Sequence, residues 1–354
     1  MKEVIFSDLH IPPTVSKDDT IMESAQWVYQ MVVDSGAEVV VYLGDLYHNP
    51  SKSLLPANLK ARYVLDLFKT LAGFGVTVLW LCGNHDLFSD EYNALQLFDA
   101  PVPNFHIVNQ NSDFLINGVT HVCLPYTIEY DKKRDALDTM YLTEMRTKAP
   151  GLAAVFAHLP IEGIALGGSR DHGVAPGDLA IFDVIFEGHY HQPTTFEYEG
   201  LGLRSPFWLA GTLCPQDFKD KGFWHGALMW DTDTNEVTPV PNPHRHVYLI
   251  GSREEVSAEA NAPGIGWTEE LVKRSHIRFT EEVGEAEVNE WHDRYANVEV
   301  RPRKEARQAS DRAPFALEGD PRQDLVRWID EAGMGAEKEM LLARGGPLLE
   351  GRKV

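Results

Sequence analysis

Residues 76–86 read VTVLWLCGNHD. Seven β-branched or apolar residues run without a charge and stop at Gly83-Asn84-His85-Asp86, which predicts a strand buried on both faces that ends in a polar loop. The same pattern recurs upstream. Glu38 to Leu43 (EVVVYL) stops at Gly44-Asp45, and Glu3 to Ser7 stops at Asp8. Between these strands, Asp18-Asp19-Thr20 offers helix caps before a helical period over Ile21 to Asp34 that ends at Gly36. Pro56 opens a second helix to Ala72, with Val64, Leu67, Phe68 and Leu71 on one face. Buried strands alternating with amphipathic helices predict an α/β fold built on a mainly parallel sheet.

Downstream the chain is richer in strands: Phe105–Val108, Phe114–Ile116 and His121–Leu124. A charged helix follows over Lys132 to Lys148. Leu152–Ala157 then ends at His158, and Phe182–Glu187 ends at Gly188-His189. Short alternating strands continue to about Ile250. This order fits two α/β halves meeting as a two-layered β-sandwich flanked by helices. Gly251 to Gly266 reads as a linker. His276–Thr280, a helix near Glu285–Tyr295 and Asn297–Arg301 suggest a small α+β domain, and amphipathic helices close the chain. The expected domains are therefore 1–250, 265–312 and 313–354.

The 354 residues are 44% hydrophobic and 24% charged, an ordinary globular composition. No apolar run approaches the eighteen residues of a membrane span, and the first strand is too short for a signal-peptide core. Three widely spaced cysteines, Cys82, Cys123 and Cys214, argue against a disulfide framework and for a reducing cytoplasm. The net charge of −21 argues against binding nucleic acid through a broad basic surface. Bound divalent metals and a partner protein can change that local field. The charge is uneven: residues 1–250 carry −15, residues 251–300 carry −7 and residues 301–354 carry +1.

Five pieces carry chemistry: Asp8-Leu9-His10, Gly44-Asp45, Gly83-Asn84-His85-Asp86, His158 and Gly188-His189-Tyr190-His191. Each follows an apolar strand, and α/β sheets bind ligands where strands end at their carboxyl edge. Singly, each piece is also ordinary loop or turn chemistry. Together they deliver carboxylates, an amide and several imidazoles to one rim, a donor set suited to Mn, Fe or Zn. An all-oxygen set would suit Mg or Ca better. Two ions about 3.5–4 Å apart clamp a phosphoryl group and bring the pKa of a bridging water toward neutrality, so hydroxide attack on phosphorus is the natural reaction.

The order DxH, GD, GNHD, H, GHxH over roughly residues 1–230 resembles the calcineurin-like metallophosphoesterase superfamily. The resemblance implies that Asp8, His10 and His191 bind one metal, that Asn84, His158 and His189 bind the other, and that Asp45 bridges both. It implies that His85 binds no metal and either stabilises the transition state or protonates the leaving oxygen. The protein phosphatases of the superfamily read GDxVDRG and GNHE. This chain has GDLYHNPS over 44–51 and GNHD. The GDLYH segment instead resembles SbcD-type DNA repair and recombination nucleases, in which the histidine three residues after the bridging aspartate positions the scissile phosphate. His48 inherits that role. Leu209-Ala210-Gly211-Thr212 and the Gly222-Phe223-Trp224 region look like the end of the nuclease core in phage recombination endonucleases.

The same resemblance implies two Mn²⁺ ions, DNA as substrate, a DNA-capping domain over 265–312 and a homodimer. Within the cap, Arg301, Arg303, Lys304, Arg307 and Arg312 form a basic run that could follow a phosphate backbone. A solvated charged face reads equally well. The tail from Asp320 to Glu350 resembles helices that dock on an SMC-like coiled-coil ATPase. Two other readings keep the same metals or the same partner: a phosphodiesterase or phosphatase for nucleotides or other small molecules, and a metal-binding scaffold for the ATPase.

Overall fold

The structure is a computed structural model. It describes residues 1–13, 20–50, 55–88, 92–98, 101–127, 139–166, 169–170, 173–196, 206–221, 224–260, 274–281, 284–293 and 297–300. Met1–Val300 forms one compact unit. Gly222-Phe223, the basic run at Arg301, Arg303, Lys304, Arg307 and Arg312, and the expected C-terminal helices lie outside the described residues.

The first half runs β1 (Lys2–Phe6), α1 (Thr20–Ser35), β2 (Val39–Tyr42), α2 (Leu55–Gly73), β3 (Thr77–Leu81) and β4 (Phe105–Val108). Next come β5 (Ser112–Ile116), β6 (Val119–Leu124), α3 (Thr139–Lys148) and β7 (Ala153–Ala157). A small ribbon, β8 (Ala165–Leu166) and β9 (Ser169–Arg170), precedes the short α4 (Pro176–Leu179). The strands β10 (Val184–Glu187), β11 (Thr194–Phe196), β12 (Phe207–Leu209), β13 (Gly226–Asp231) and β14 (Glu236–Pro241) complete two six-stranded sheets. One sheet has the order β14-β13-β1-β2-β3-β4, the other β11-β12-β10-β7-β6-β5. β1 to β4 are parallel, as are β6, β7, β10 and β12, while antiparallel pairing closes the β13–β14 side of the first sheet and both edges of the second.

Alternate residues of each central strand enter different cores, as the pleat requires. Val4, Phe6, Val40, Tyr42, Val78 and Trp80 pack under Ala25, Val28 and Val32 of α1 and Val64, Leu65 and Phe68 of α2. Ile5, Val39, Val41, Leu79 and Leu81 turn the other way and meet Cys123, Ala154, Phe156, Val184 and Phe186 of the second sheet. Both faces of these strands are therefore dry, which is why their sequences carry unbroken apolar runs. Burying each large side chain contributes about 1.5–3 kcal/mol. One polar pair crosses the layer between the sheets. Glu3 of β1 and His121 of β6 are fully buried, with His121 Nε2 3.0 Å from Glu3 Oε1.

The stretch read as a linker contains structure. β15 (Tyr248–Gly251) and α5 (Arg253–Ala260) belong to a small parallel sheet with β16 (His276–Phe279) and β17 (Asn297–Val300), beside α6 (Glu285–His292). The polar helix α5 sends Val256 into a core with Leu249, Ile277, Phe279 and Val298. Among the described residues, no helix is long and apolar enough to cross a membrane. Cys82, Cys123 and Cys214 are buried thiols.

Candidate metal centre

The loops that leave β1, β2, β3, β7 and β10 meet at one rim. The first two continue the sheet's hydrogen bonding beyond its strands. Asp8 N–H donates to Gly44 O (3.0 Å), His10 N–H to Asp45 O (3.0 Å) and Ile11 N–H to Leu46 O (2.8 Å). The backbone there is unusual. Asp8, His10, Asp45 and His189 all have positive φ, between 47° and 63°. The other non-glycine residues of this kind among the described residues are Asn104, Asn117 and Asn235. Asparagine tolerates the left-handed region, whereas histidine adopts it at a cost and chiefly where the surroundings impose it.

Close approach of the loops explains two of the motif glycines. A Cβ on Gly83 would overlap the Asp45 carboxylate, and one on Gly188 would sit 2.5 Å from Ser7 Oγ and 2.9 Å from His158 Nδ1. Asp86, the last residue of GNHD, ties the loops together from below. It is fully buried. Its Oδ2 accepts from the backbone N–H of Asp45 (3.1 Å) and Gly83 (3.0 Å), and its Oδ1 from that of Tyr47 (3.1 Å). Burial and the neighbouring Asp45 push the Asp86 carboxyl up to about 7.

The structure brings seven candidate ligands together. His10 Nε2 lies 3.5 Å from Asp8 Oδ1, 3.6 Å from Asp45 Oδ2 and 3.1 Å from His191 Nε2. Asn84 Oδ1 lies 2.9 Å from both His158 Nε2 and His189 Nδ1. His158 Nε2 is also 3.4 Å from Asp45 Oδ2, which places Asp45 between the two sets. Donor atoms of Asp8, His10 and His191 lie within 4.8 Å of one another, and so do those of Asp8, Asp45 and His158.

The residues fit divalent cations. Asp8 and Asp45 are two carboxylates buried side by side, and Asp8 Oδ1 has no hydrogen-bond partner. An unpartnered buried carboxylate oxygen is costly unless a cation meets it. The mixed oxygen and imidazole set suits a first-row ion. Outer partners aim the imidazoles. His158 Nδ1 faces the carbonyl of Leu43 at 2.6 Å, which leaves Nε2 directed inward. His191 Nδ1 faces Asp220 Oδ2 at 3.8 Å.

Electrostatics in the rim follow from this crowding. Burial disfavours charge on Asp45, yet His158, with His10 and His85, holds the carboxyl well below its usual range. Burial likewise opposes charge on His158, but Asp45 outweighs it and raises the imidazole to about 10. Burial and the adjacent His158 bring His189 down to about 4.

His48 and His85 stand together at the mouth, with ring centroids 5.7 Å apart and planes at 26°. Both rings also abut His10, at 5.7 and 4.9 Å. Donor atoms of these three histidines lie within 4.8 Å of one another. His85 Nδ1 faces the carbonyl of His48 at 2.6 Å, and its backbone N–H donates to Asp45 Oδ1 at 2.7 Å. Burial, then the neighbouring His10, His85 and His191, lower the pKa of His48 and favour its neutral form.

Three contributors escaped the sequence reading. Asp86 had a motif but no role, while Asp220 and Glu187 had neither. Glu187 ends β10, and its Oε1 accepts from Leu159 N–H at 2.6 Å just after His158. A carboxylate directly before Gly188-His189 was the available signal.

A family profile described as calcineurin-like phosphoesterase matches residues 1–193. No curated protein sequence matches the chain. Among solved structures, TT1561 of Thermus thermophilus is similar at 11% identity, over 68% of this chain and 98% of that one, with a TM-score of 0.42. Yfce, a phosphoesterase from E. coli, shares 17% identity over 68% and 100%, with a TM-score of 0.37. A dimetal phosphatase from Danio rerio shares 11% over 64% and 91%, with a TM-score of 0.41.

Proposed function

Because the chain belongs to the calcineurin-like phosphoesterase family, whose members hydrolyse phosphoesters with bound metal ions, we propose that it is a metal-dependent DNA nuclease, the nuclease subunit of an SbcCD-like repair or recombination complex. One observation supports this reading above the others. Asp45 is followed three residues later by His48, whose ring stands beside His85 and His10 at the mouth of the centre. A second imidazole beyond the metal-facing residues suits a phosphodiester, which has two ester oxygens to hold.

Asp8, His10 and His191 would hold one ion, Asn84, His158 and His189 the other, with Asp45 between them. Two bound divalent ions, which we take to be Mn²⁺, supply Lewis-acid charge for the phosphoryl oxygens and an ionised water for in-line attack on phosphorus. His48 holds the scissile phosphate from the solvent side. The Nδ1–H of His85 donates to the His48 carbonyl and turns Nε2 away from it, so that the doubly protonated ring would pass its Nε2 proton to the departing 3′ oxygen and be left neutral with Nδ1–H in place. The acidic chain would draw part of its DNA affinity from an SMC-like ATPase docked on the segment from Asp320 to Glu350, from Arg301, Arg303, Lys304 and Arg307, and from a second copy of itself. The buried thiols suit a reducing cytoplasm.

The test is Mn²⁺-dependent cleavage of linear duplex and single-stranded DNA by the full chain, alone and with the ATPase. Cleavage that disappears in His85→Ala is expected. Rapid turnover of bis-p-nitrophenyl phosphate with no DNA cleavage in either setting would make the protein a small-molecule phosphodiesterase. Stoichiometric metal with no hydrolysis of any phosphoester would make it a scaffold.

A further inference from the structure

Of the candidate ligands, His191 has the loosest setting. It follows β10 on a loop, its side chain is about one-third exposed, and its Nδ1 faces one carboxylate, Asp220. Asp220 belongs to a tight turn, Phe218–Asp220, capped by Asp217, whose Oδ1 accepts from Lys219 N–H at 2.6 Å. The turn is tied inward. Asp220 Oδ2 accepts from Gln216 N–H (2.7 Å) and Asp217 N–H (3.3 Å), and the Asp220 carbonyl faces His225 Nε2 at 3.2 Å.

The outer side of the same turn is gripped by the small sheet. Tyr248 of β15 donates its hydroxyl to the Gln216 carbonyl at 3.0 Å. The Arg278 guanidinium of β16 lies over the Phe218 ring at 3.8 Å, and the Tyr248 ring meets Phe218 at 4.8 Å. Lys221 Nζ donates to the carbonyl of Ile250 at 2.9 Å. Residues 216–221 thus join a candidate metal ligand on one side to a separately cored sheet on the other.

We propose that the small three-stranded sheet is a splint for the metal centre: Arg278 and Tyr248 clamp the 216–221 turn, the turn sets Asp220, and Asp220 aims His191 Nε2 at the ion shared with Asp8 and His10. Arg278, Tyr248 and Asp220 are positioning residues and touch no substrate. Outer partners of metal-bound imidazoles commonly govern metal affinity by ten- to a hundredfold. A guanidinium packed on an aromatic face is a directional contact that a neutral truncation cannot replace. This inference rests on the family reading of His191 as a ligand and is independent of whether the substrate is DNA.

The experiment is Mn²⁺ titration of the full chain followed by electron paramagnetic resonance, which counts bound ions and their affinities. Wild type binds two ions. Asp220→Ala weakens one of them roughly 10–100-fold. Arg278→Ala weakens the same ion about tenfold, and Arg278→Lys, which keeps a cation over the ring but loses the planar stack, restores part of the loss. Arg253→Ala, which breaks an exposed ion pair with Glu281 and touches neither Phe218 nor Asp220 in the contacts above, leaves both affinities unchanged. In a His191→Ala background, adding Arg278→Ala has no further effect. Equal affinities in wild type and Arg278→Ala overturn the splint, as does a loss that persists undiminished without His191. A wild type that binds no ion overturns the metal reading itself, and the splint with it.

Discussion

His158 Nδ1 faces the carbonyl oxygen of Leu43 at 2.6 Å, so a ligand on the second sheet is oriented by the backbone of the first. The ring's other nitrogen then faces Asp45 and Asn84.

That orientation makes metal uptake a proton exchange. Burial lowers the affinity of His158 for a proton, but Asp45 raises it further and leaves the ring charged up to about 10. A cation at Nε2 must displace that proton. Affinity for this ion should therefore rise as pH rises, about tenfold per unit below 10, because the competing proton becomes scarcer. Calorimetry at pH 7 in buffers of different ionisation enthalpy should find about one proton released. His158→Ala should remove both the proton and the second ion.

Asp86 should matter for stability although it faces no ion. Its two oxygens accept from three backbone N–H groups. An amide offers one acceptor oxygen and would set N–H against N–H. Asp86→Asn and Asp86→Ala should each cost about 2–3 kcal/mol in denaturant unfolding. A change under about 0.5 kcal/mol in both would contradict the loop-tying role.

The Glu3–His121 pair crosses the interior of the sandwich. His121→Ala would strand a buried carboxylate and should cost about 3–5 kcal/mol. Replacing both with apolar residues, Glu3→Leu with His121→Leu, should recover most of that loss. Equal destabilisation in the single and double variants would mean that packing against Phe156, 5.2 Å from the His121 ring, is the main contribution.

His48 and His85 should separate kinetically. His85→Ala removes a proton donor and should lower kcat by about 10²–10⁴-fold at saturating DNA. His48→Ala removes a phosphate contact made before and during the reaction, so KM should rise along with any fall in kcat. Identical kcat and KM profiles for the two variants would contradict the division of roles.

The fold was readable because its central strands are dry on both sides, as at residues 76–82, where the apolar run and the strand Thr77–Leu81 nearly coincide. The rim was readable for the same reason: Asp8, Asp45, Asn84, His158 and His189 sit where those runs stop. What escaped depends on contacts across the chain. Asp220 meets His191 from a turn well downstream, and His121 acquires its partner from the first strand. The helix Arg253–Ala260 hid in an apparent linker because Val256 is its buried apolar anchor. The left-handed backbone at Asp8, His10, Asp45 and His189 leaves no mark in residue type, since aspartate and histidine are ordinary elsewhere.

Four of the seven converging side chains, Asp8, His10, Asp45 and Asn84, hang from one sheet. The other three, His158, His189 and His191, hang from the second. A loaded centre would rivet two layers that are otherwise joined chiefly by grease, and prying them apart would mean surrendering the ions first. Resistance to unfolding would then climb with the surrounding concentration of free ions, turning durability into a gauge of metal supply.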